Sequence, residues 1–120
     1  MFEDTLNPRF VFHSFLRAGD DVTLHIDRAI ERWQGAIDAS VDRHLRIEFL
    51  HPIQGAQTVR VDLWVEDLDT SVCVYGFLLS TPDGNAAFAR GDRTLIGSSR
   101  WSAELFERAA SLRKDLPAYA

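Results

Sequence analysis

The chain has 120 residues, 46% of them hydrophobic, and this length and composition suit one domain with a single apolar core. Thirteen basic and eighteen acidic residues give a formal charge of −5, which disfavours a broad nucleic-acid-binding surface. No apolar run approaches the roughly 20 residues of a membrane-spanning helix, and no secretory signal pattern opens the sequence. We therefore expect a cytoplasmic protein that binds neither nucleic acid nor membrane. The lone Cys73 cannot form an internal disulfide, which agrees with a reducing compartment.

The first predicted strand covers residues 9–16, where RFVFHSFL is dense in phenylalanine and valine. The breaker Ala18-Gly19-Asp20 follows it. From about Thr23 to Ala36 the apolar residues fall at helical intervals with charged residues between them, which predicts an amphipathic helix. The apolar positions of this helix are Ile26, Ala29, Ile30, Trp33 and Ile37.

The hydrophobic period then becomes two, which predicts half-buried strands in HLRIEFL (44–50) and VRVDLWVE (59–66). Two more strands are predicted in SVCVYGFLLS (71–80) and AAFARGDRTLI (86–96). The short turn-rich links predict that these four strands form an antiparallel meander. A last amphipathic segment predicts a short helix before Pro117, with its apolar side formed by Leu105, Phe106, Ala109 and Leu112.

These elements predict an α+β fold in two layers. Five antiparallel strands curl around one central helix, and a short helix ends the chain. Both layers are required, because the helix stripe and the inner face of the sheet must bury their apolar side chains against each other.

Residues 21–29 read DVTLHIDRA and lie where the first strand gives way to the central helix. In this position the chain resembles the hotdog-fold acyl-CoA thioesterases, particularly the 4-hydroxybenzoyl-CoA thioesterase-like branch, whose motif is Asp-x-x-Gly-His-Val-Asn-Asn-Ala. The strand VRVDLWVE, the strand TSVCVYGFLLS, the turn PDG and a final strand then follow in the family order. The resemblance implies a single hotdog domain over residues 1–120.

The resemblance also implies hydrolysis of an acyl thioester carried by coenzyme A or by an acyl-carrier protein. Asp21 would be the nucleophile or general base, and His25 would orient a substrate carbonyl or a water. Substrate contacts would come from Thr23, Leu24, Ile26 and Arg90. No metal or separate cofactor is implied, since coenzyme A is part of the substrate, and the family resemblance implies a homodimer or homotetramer.

Each of these residues also has a simpler interpretation. Asp21 suits a helix N-cap, which stabilises by about 0.5–2 kcal/mol relative to alanine without any chemistry. Asp20 could fill either role but breaks the four-residue spacing to His25. His25 could be a partly buried histidine bonded to backbone.

Glu31 could be a second acid or a solvated side chain. Arg90, Arg93 and Arg100 could meet phosphates or lie in solvent.

The motif departs from the family at several positions. Leu24 replaces glycine, Asp27 and Arg28 replace two asparagines, and Glu31 replaces an aromatic residue. These departures motivate an alternative, a non-catalytic hotdog protein that binds an acyl thioester or another hydrophobic ligand. A third possibility is a hotdog dehydratase or hydratase that uses His25 or His13. A metal site formed by Asp20, Asp21 and His25 is disfavoured, because no second His or Cys lies at ligand spacing, and a serine hydrolase is disfavoured, because no Gly-x-Ser-x-Gly elbow occurs.

Overall fold

A computed structural model describes residues 9–113, which contain five strands and two helices. The strands are β1 Phe10–Leu16, β2 Asp42–Phe49, β3 Gln57–Leu68, β4 Val72–Ser80 and β5 Ala87–Ile96. The helices are α1 Val22–Gln34 and α2 Ala103–Ala110. The predicted strands, the central helix and the short last helix are all present, whereas Pro117 lies outside the described residues. Between residues 9 and 113, no helix is long and apolar enough to cross a membrane.

The five strands form one antiparallel sheet in the order β1-β3-β4-β5-β2. Alternate residues of each strand face α1, and across β3 and β4 the pairs Val61–Leu79 and Leu63–Phe77 lie fully buried on this inner face. The period-two pattern of the sequence therefore becomes one apolar surface wrapped around the helix. The predicted α+β architecture is confirmed.

The predicted four-strand meander is wrong at one step, because β2 and β3 are not neighbours. Strand β2 pairs with β5 at one edge of the sheet, whereas β3 lies beside β1 at the other side. The link of residues 50–56 is a crossover rather than a hairpin turn. Its seven residues can reach about 23 Å when extended, which exceeds the roughly 14 Å across three strand spacings.

Helix α1 buries the side chains of His25, Ile26, Ala29 and Ile30 against the sheet. Three of the four are apolar and belong to the main core. The fourth is an imidazole, which needs hydrogen-bonding partners inside the fold because an unpaired buried polar group is costly. The helix ends at Gly35, whose φ of 100° lies in the region that favours glycine.

The carboxyl end of α1 is fixed by contacts to α2 and to β4. The indole Nε1 of Trp33 donates to the backbone oxygen of Arg108 at 2.9 Å, and the Arg108 guanidinium donates back to the Trp33 oxygen at 2.6 Å. The Tyr75 hydroxyl donates to Gln34 Oε1 at 2.6 Å. Helix α2 itself buries Ala109, whereas Phe106, expected on its apolar side, is 36% exposed.

Cys73 lies on β4 with its side chain buried in the core. Burial raises the pKa of this thiol to about 12, because a thiolate would have to leave water. The thiol is therefore a small packing group rather than a reactive one.

Candidate active site

A cleft of about 510 Å³ lies where β1 ends, α1 begins and the crossover of residues 50–56 passes. Its apolar walls include Leu16, Val22, Phe49, Pro52 and Ile53. Two carboxylates, those of Asp20 and Asp21, border the same space. The crossover that breaks the meander thus supplies one wall of the cleft, and the first turn of the helix supplies its polar edge.

Asp21 is the N-cap of α1. Its backbone is extended, with φ −78° and ψ 124°, and its Oδ1 accepts the Thr23 N–H at 3.0 Å. The bond from the Thr23 N–H is the main cause of a lowered Asp21 pKa, and Arg93 lowers it further while partial desolvation opposes both. The capping interpretation is therefore correct. Because Asp21 also borders the cleft, its catalytic role stays a prediction.

His25 connects Asp20 to the inside of the fold. The imidazole is fully buried, with Nδ1 at 2.6 Å from the Ser14 hydroxyl and Nε2 at 3.2 Å from Asp20 Oδ2. The expectation of a partly buried histidine bonded to backbone is wrong, because the ring is fully buried and its partners are two side chains. Ser14 and Asp20 come from β1 and from the turn before α1, so the contact joins three successive parts of the chain.

Asp20 is held by the turn as well as by the histidine. Its Oδ2 accepts the Arg17 N–H at 2.9 Å, and its side chain remains 29% exposed. The Arg17 N–H is the largest cause of a lowered Asp20 pKa, and the hydrogen bond from His25 adds to it against the cost of desolvation. Asp20 is therefore an ionised carboxylate at neutral pH.

The remaining predicted substrate contacts do not line this cleft. Thr23 contributes its backbone N–H to the cap, and Leu24 lies within α1 with 46% of its surface exposed. Ile26 is fully buried in the core. Arg90 lies on the outer face of β5, where its guanidinium pairs with Glu48 at 3.0 Å. Their roles in substrate binding stay predictions.

The departures from the family motif have local physical reasons. Asp27 accepts two hydrogen bonds of 3.0 Å from the Arg93 guanidinium, and Arg43 lies 3.7 Å from the same carboxylate. Arg93 is therefore buried in an ion pair rather than solvated. In the described range only glycines have positive φ, so Leu24 occupies its helical position without strain. Glu31 is exposed on α1.

Ser14 lies outside the motif of residues 21–29, and the four-residue spacing to His25 favours Asp21 over Asp20. One signal for Ser14 exists, because the inward stripe of β1 reads Phe10, Phe12, Ser14 and Leu16, with one polar residue among apolar ones. A hydroxyl at an inward position needs a buried partner. The site thus offers two carboxylates and a buried imidazole, whereas across residues 9–113 no three His, Cys, Asp or Glu side chains group as metal ligands.

Comparison with protein-family profiles and with curated protein sequences gives no match. Solved structures do match. A thioesterase candidate from Pseudomonas aeruginosa has a TM-score of 0.65 at 21% identity, covering 84% of this chain and 96% of that one. The 1,4-dihydroxy-2-naphthoyl-CoA thioesterase of Synechocystis has a TM-score of 0.64 at 15% identity, covering 91% and 98%.

A Staphylococcus aureus protein solved in complex with CoA has a TM-score of 0.69 at 12% identity, covering 92% of this chain and 87% of that one. Sequence identities this low show the fold alone. The matches cover nearly the whole of the neighbouring chains, and in this chain they span the five-stranded antiparallel sheet and its central helix. The chain therefore has the hotdog fold.

Proposed function

We propose that this protein is a thioesterase, which hydrolyses an acyl-CoA or an acyl-carrier-protein thioester to a free acid and a thiol. One observation carries the proposal: the carboxylates of Asp20 and Asp21 border an apolar-walled cleft at the start of α1, and one of them is bonded to the buried His25. A hydrolase of this class needs a carboxylate beside a site for an acyl group, and the cleft supplies both.

The chemistry balances with the groups that the cleft contains. In the general-base route, a carboxylate oxygen takes a proton from water while the water oxygen bonds to the thioester carbonyl carbon. The C–S bond then breaks, and the carboxylic acid returns its proton to the leaving sulfur. In the nucleophilic route, the carboxylate oxygen bonds to the carbonyl carbon and displaces the thiolate to give an anhydride. Water then cleaves the anhydride to the free acid and the enzyme carboxylate, and the proton released goes to the thiolate.

The start of α1 also suits the negative charge that develops on the carbonyl oxygen. Backbone N–H groups in the first turn point along the helix axis, out of its amino end, and lack acceptors within the helix. The helix dipole also places partial positive charge at this end. Donors and dipoles of this kind stabilise the transition state of acyl transfer. Asp21 and Val22 line the cleft, so this end of the helix faces the space that a substrate would occupy.

The names of the structural neighbours support a CoA thioester as the substrate. One is named for its action on 1,4-dihydroxy-2-naphthoyl-CoA, and another was solved with CoA. On this proposal coenzyme A enters as part of the substrate, and the protein uses no other cofactor.

We include a homodimer or homotetramer in the proposal. Strand β2 is an edge strand with a partner on one side only, and at its end Phe49 is 57% exposed beside the exposed Leu50. Unpaired edges and exposed apolar side chains favour association with a second strand. Because Phe49 also walls the cleft, a second copy there would help to close it. Light scattering that gives the mass of a single chain would count against this assembly.

The direct test of the proposed function is thiol release from acyl-CoAs of graded chain length and from an aromatic acyl-CoA. The double variant Asp20→Asn/Asp21→Asn is the control for contaminating hydrolases, because it keeps two capping-competent side chains and removes both carboxylates. We expect turnover of at least one substrate by the wild type and a loss of about a hundredfold or more in the control. Equal release by both proteins would exclude this site.

A second candidate function is binding without catalysis. The departures at Leu24, Asp27 and Arg28 favour it, since the residues that normally accompany the motif are replaced. Such a protein would show a rise in melting temperature with an acyl-CoA, because a ligand that binds only the folded state stabilises it by mass action. The same samples would release no thiol.

A further inference from the structure

We propose that Asp20, rather than Asp21, is the carboxylate that acts on the thioester, and that His25 and Ser14 are the positioning residues that hold it. The inference deepens the proposed thioesterase function and rests on it. It changes the expected role of each group at the helix start. Asp21 organises the backbone, and Asp20 performs the chemistry.

The hydrogen bonds to Asp20 leave one of its oxygens open. Oδ2 accepts both the Arg17 N–H at 2.9 Å and the His25 Nε2 contact at 3.2 Å. Within residues 9–113, no donor to Oδ1 is present, and the side chain borders the cleft. One oxygen therefore fixes the orientation of the carboxylate, and the other keeps its lone pairs for a water or a carbonyl carbon.

The chain of contacts behind Asp20 also fixes the imidazole. An ionised carboxylate only accepts hydrogen bonds, so His25 Nε2 must carry a hydrogen toward Asp20. In the neutral ring Nδ1 is then an acceptor, and the Ser14 hydroxyl at 2.6 Å donates to it. Asp20 thus selects the tautomer, and the Ser14 hydroxyl, which can donate or accept, satisfies the other ring nitrogen and holds the ring in place.

Ser14, His25 and Asp20 are the residue types of a serine hydrolase triad, in which the serine faces the substrate and the aspartate is buried. Here the serine is buried and the aspartate is partly exposed. Ser14 is 7% exposed and does not line the cleft, so its oxygen cannot reach a substrate carbonyl. Asp20 is the partly exposed member that borders the cleft. In the hydrogen-bonded series Ser14–His25–Asp20, called the relay below, the serine is therefore the buried end and the carboxylate is the reactive end.

Asp21 lacks this support. Its Oδ1 accepts a hydrogen bond from the Thr23 N–H of its own helix, and His25 contacts Asp20 and Ser14 instead. A carboxylate held through a buried ring keeps one geometry, and a fixed geometry is what an acid–base group needs for catalysis. This difference assigns the reactive role to Asp20.

A matched pair of variants tests the assignment. In His25→Gln the amide nitrogen lies near the position of Nε2 and can still donate to Asp20, whereas the shorter side chain of His25→Asn reaches only the position of Nδ1. We expect kcat of His25→Asn to fall on the order of tenfold to a hundredfold with KM within about twofold, because orientation is lost and binding is not. We expect His25→Gln to recover most of that loss.

Ser14→Ala gives a smaller effect of the same kind. It removes one hydrogen bond from the far side of the ring, so we expect kcat to fall by about tenfold or less. The outer-face variant Arg46→Gln serves as the control, since Arg46 pairs with Asp92 away from the cleft. Equal kcat values for His25→Gln and His25→Asn, with both proteins folded, would overturn the positioning role.

The pH profile separates positioning from a general loss of stability. The charged and titratable groups around Asp20 are Arg17, Asp21 and His25. Loss of the Nε2 donor removes a bond that lowers the pKa of Asp20, so the acid limb of kcat/KM should move to higher pH in His25→Asn than in His25→Gln. Identical acid limbs in the two variants would contradict the inference.

Nuclear magnetic resonance tests the relay independently of turnover. A long-range ¹H–¹⁵N spectrum of the wild type should show His25 with its hydrogen on Nε2, and a carboxyl ¹³C titration should show a higher pKa for Asp20 in His25→Asn. A hydrogen on Nδ1 alone would overturn the relay even in an active enzyme. The predicted tautomer in a protein that releases no thiol would leave the relay standing and reject the thioesterase function.

Discussion

The two ends of helix α1 differ in how their polar groups are satisfied. At the carboxyl end, Trp33 and Arg108 exchange reciprocal hydrogen bonds across 75 residues of sequence, and Tyr75 donates to Gln34. At the amino end, Asp20 and Asp21 border a cleft, and their carboxylates are only partly used by the fold. The polar groups named at the carboxyl end are thus paired within the fold, whereas the carboxylates at the amino end keep hydrogen-bonding capacity toward the cleft.

If the proposed function is correct, the two ends of α1 separate stability from catalysis. The carboxyl end and the core fix the helix, and at the amino end the Asp21 cap adds to this stability while Asp20 keeps one carboxylate oxygen without a donor. A site that binds a water or a substrate needs donors or acceptors that are not already hydrogen-bonded within the fold. Variants along α1 should therefore separate into those that lower stability and those that lower activity.

Ile30→Ala should have the largest effect on stability. Ile30 is fully buried between α1 and the sheet, and truncation leaves a cavity that costs about 2–5 kcal/mol. The free energy of unfolding from urea denaturation measures the loss. Turnover per folded molecule, measured well below the melting temperature, should change little. A loss below 1 kcal/mol would mean that the helix packs less tightly than described.

Asp21→Ala should come next. The substitution removes the N-cap acceptor of the Thr23 N–H, which costs about 0.5–2 kcal/mol. Asp21→Asn is the matched control, because asparagine caps helices about as well as aspartate. We expect chemical denaturation to show a loss for alanine and little for asparagine. Equal losses in both would indicate that the negative charge, rather than the cap, is what stabilises.

Tyr75→Phe should have a smaller effect at the opposite end. It removes the hydroxyl that donates to Gln34 Oε1, and one neutral hydrogen bond contributes about 0.5–1.5 kcal/mol. Water can partly replace this donor because Gln34 is only half-buried. Thermal unfolding checks the value. A fall in kcat at unchanged stability would contradict the division between the two ends.

The smallest expected effect is a pH dependence confined to the amino end. The pKa values of Asp20 and Asp21 are lowered from an ordinary value of 3.8, mainly by backbone N–H groups of Arg17 and Thr23 respectively. A lowered pKa stabilises the folded state fully above the ordinary value, and this contribution is lost as pH falls through the lowered one.

Melting temperatures across the acid range check this dependence. The difference between wild type and Asp21→Ala should be constant above about pH 4 and shrink below it, because protonation weakens the carboxylate cap. The difference between wild type and Tyr75→Phe should not shrink in that range, since neither side chain of that contact titrates there. Parallel changes in both differences would argue against a separate amino-end contribution.

The sequence predicted the elements well because hydrophobic period depends on local spacing. The strands of the sheet and the central helix follow periods of two and 3.6, and both patterns are visible without tertiary information. The order of the strands is not local. The link of residues 50–56 is short enough to suggest neighbouring strands, yet it crosses the sheet, because strand order depends on tertiary contacts that local spacing does not contain.

The candidate site was located but not resolved by the sequence. The motif at residues 21–29 identified the helix start, and the four-residue spacing favoured Asp21. Spacing along one helix cannot show that β1 turns Ser14 inward toward His25, or that the preceding turn brings Asp20 to the other ring nitrogen. The pair Asp27–Arg93 spans 66 residues and is equally invisible in the motif.

The most direct test compares kcat/KM of Asp20→Asn and Asp21→Asn on one acyl-CoA, with melting temperatures confirming that both variants fold. We predict that Asp20→Asn loses on the order of a hundredfold or more, as expected when an acid–base group is removed, and that Asp21→Asn loses less than about tenfold. A larger loss in Asp21→Asn than in Asp20→Asn would contradict the assignment of Asp20 as the reactive carboxylate.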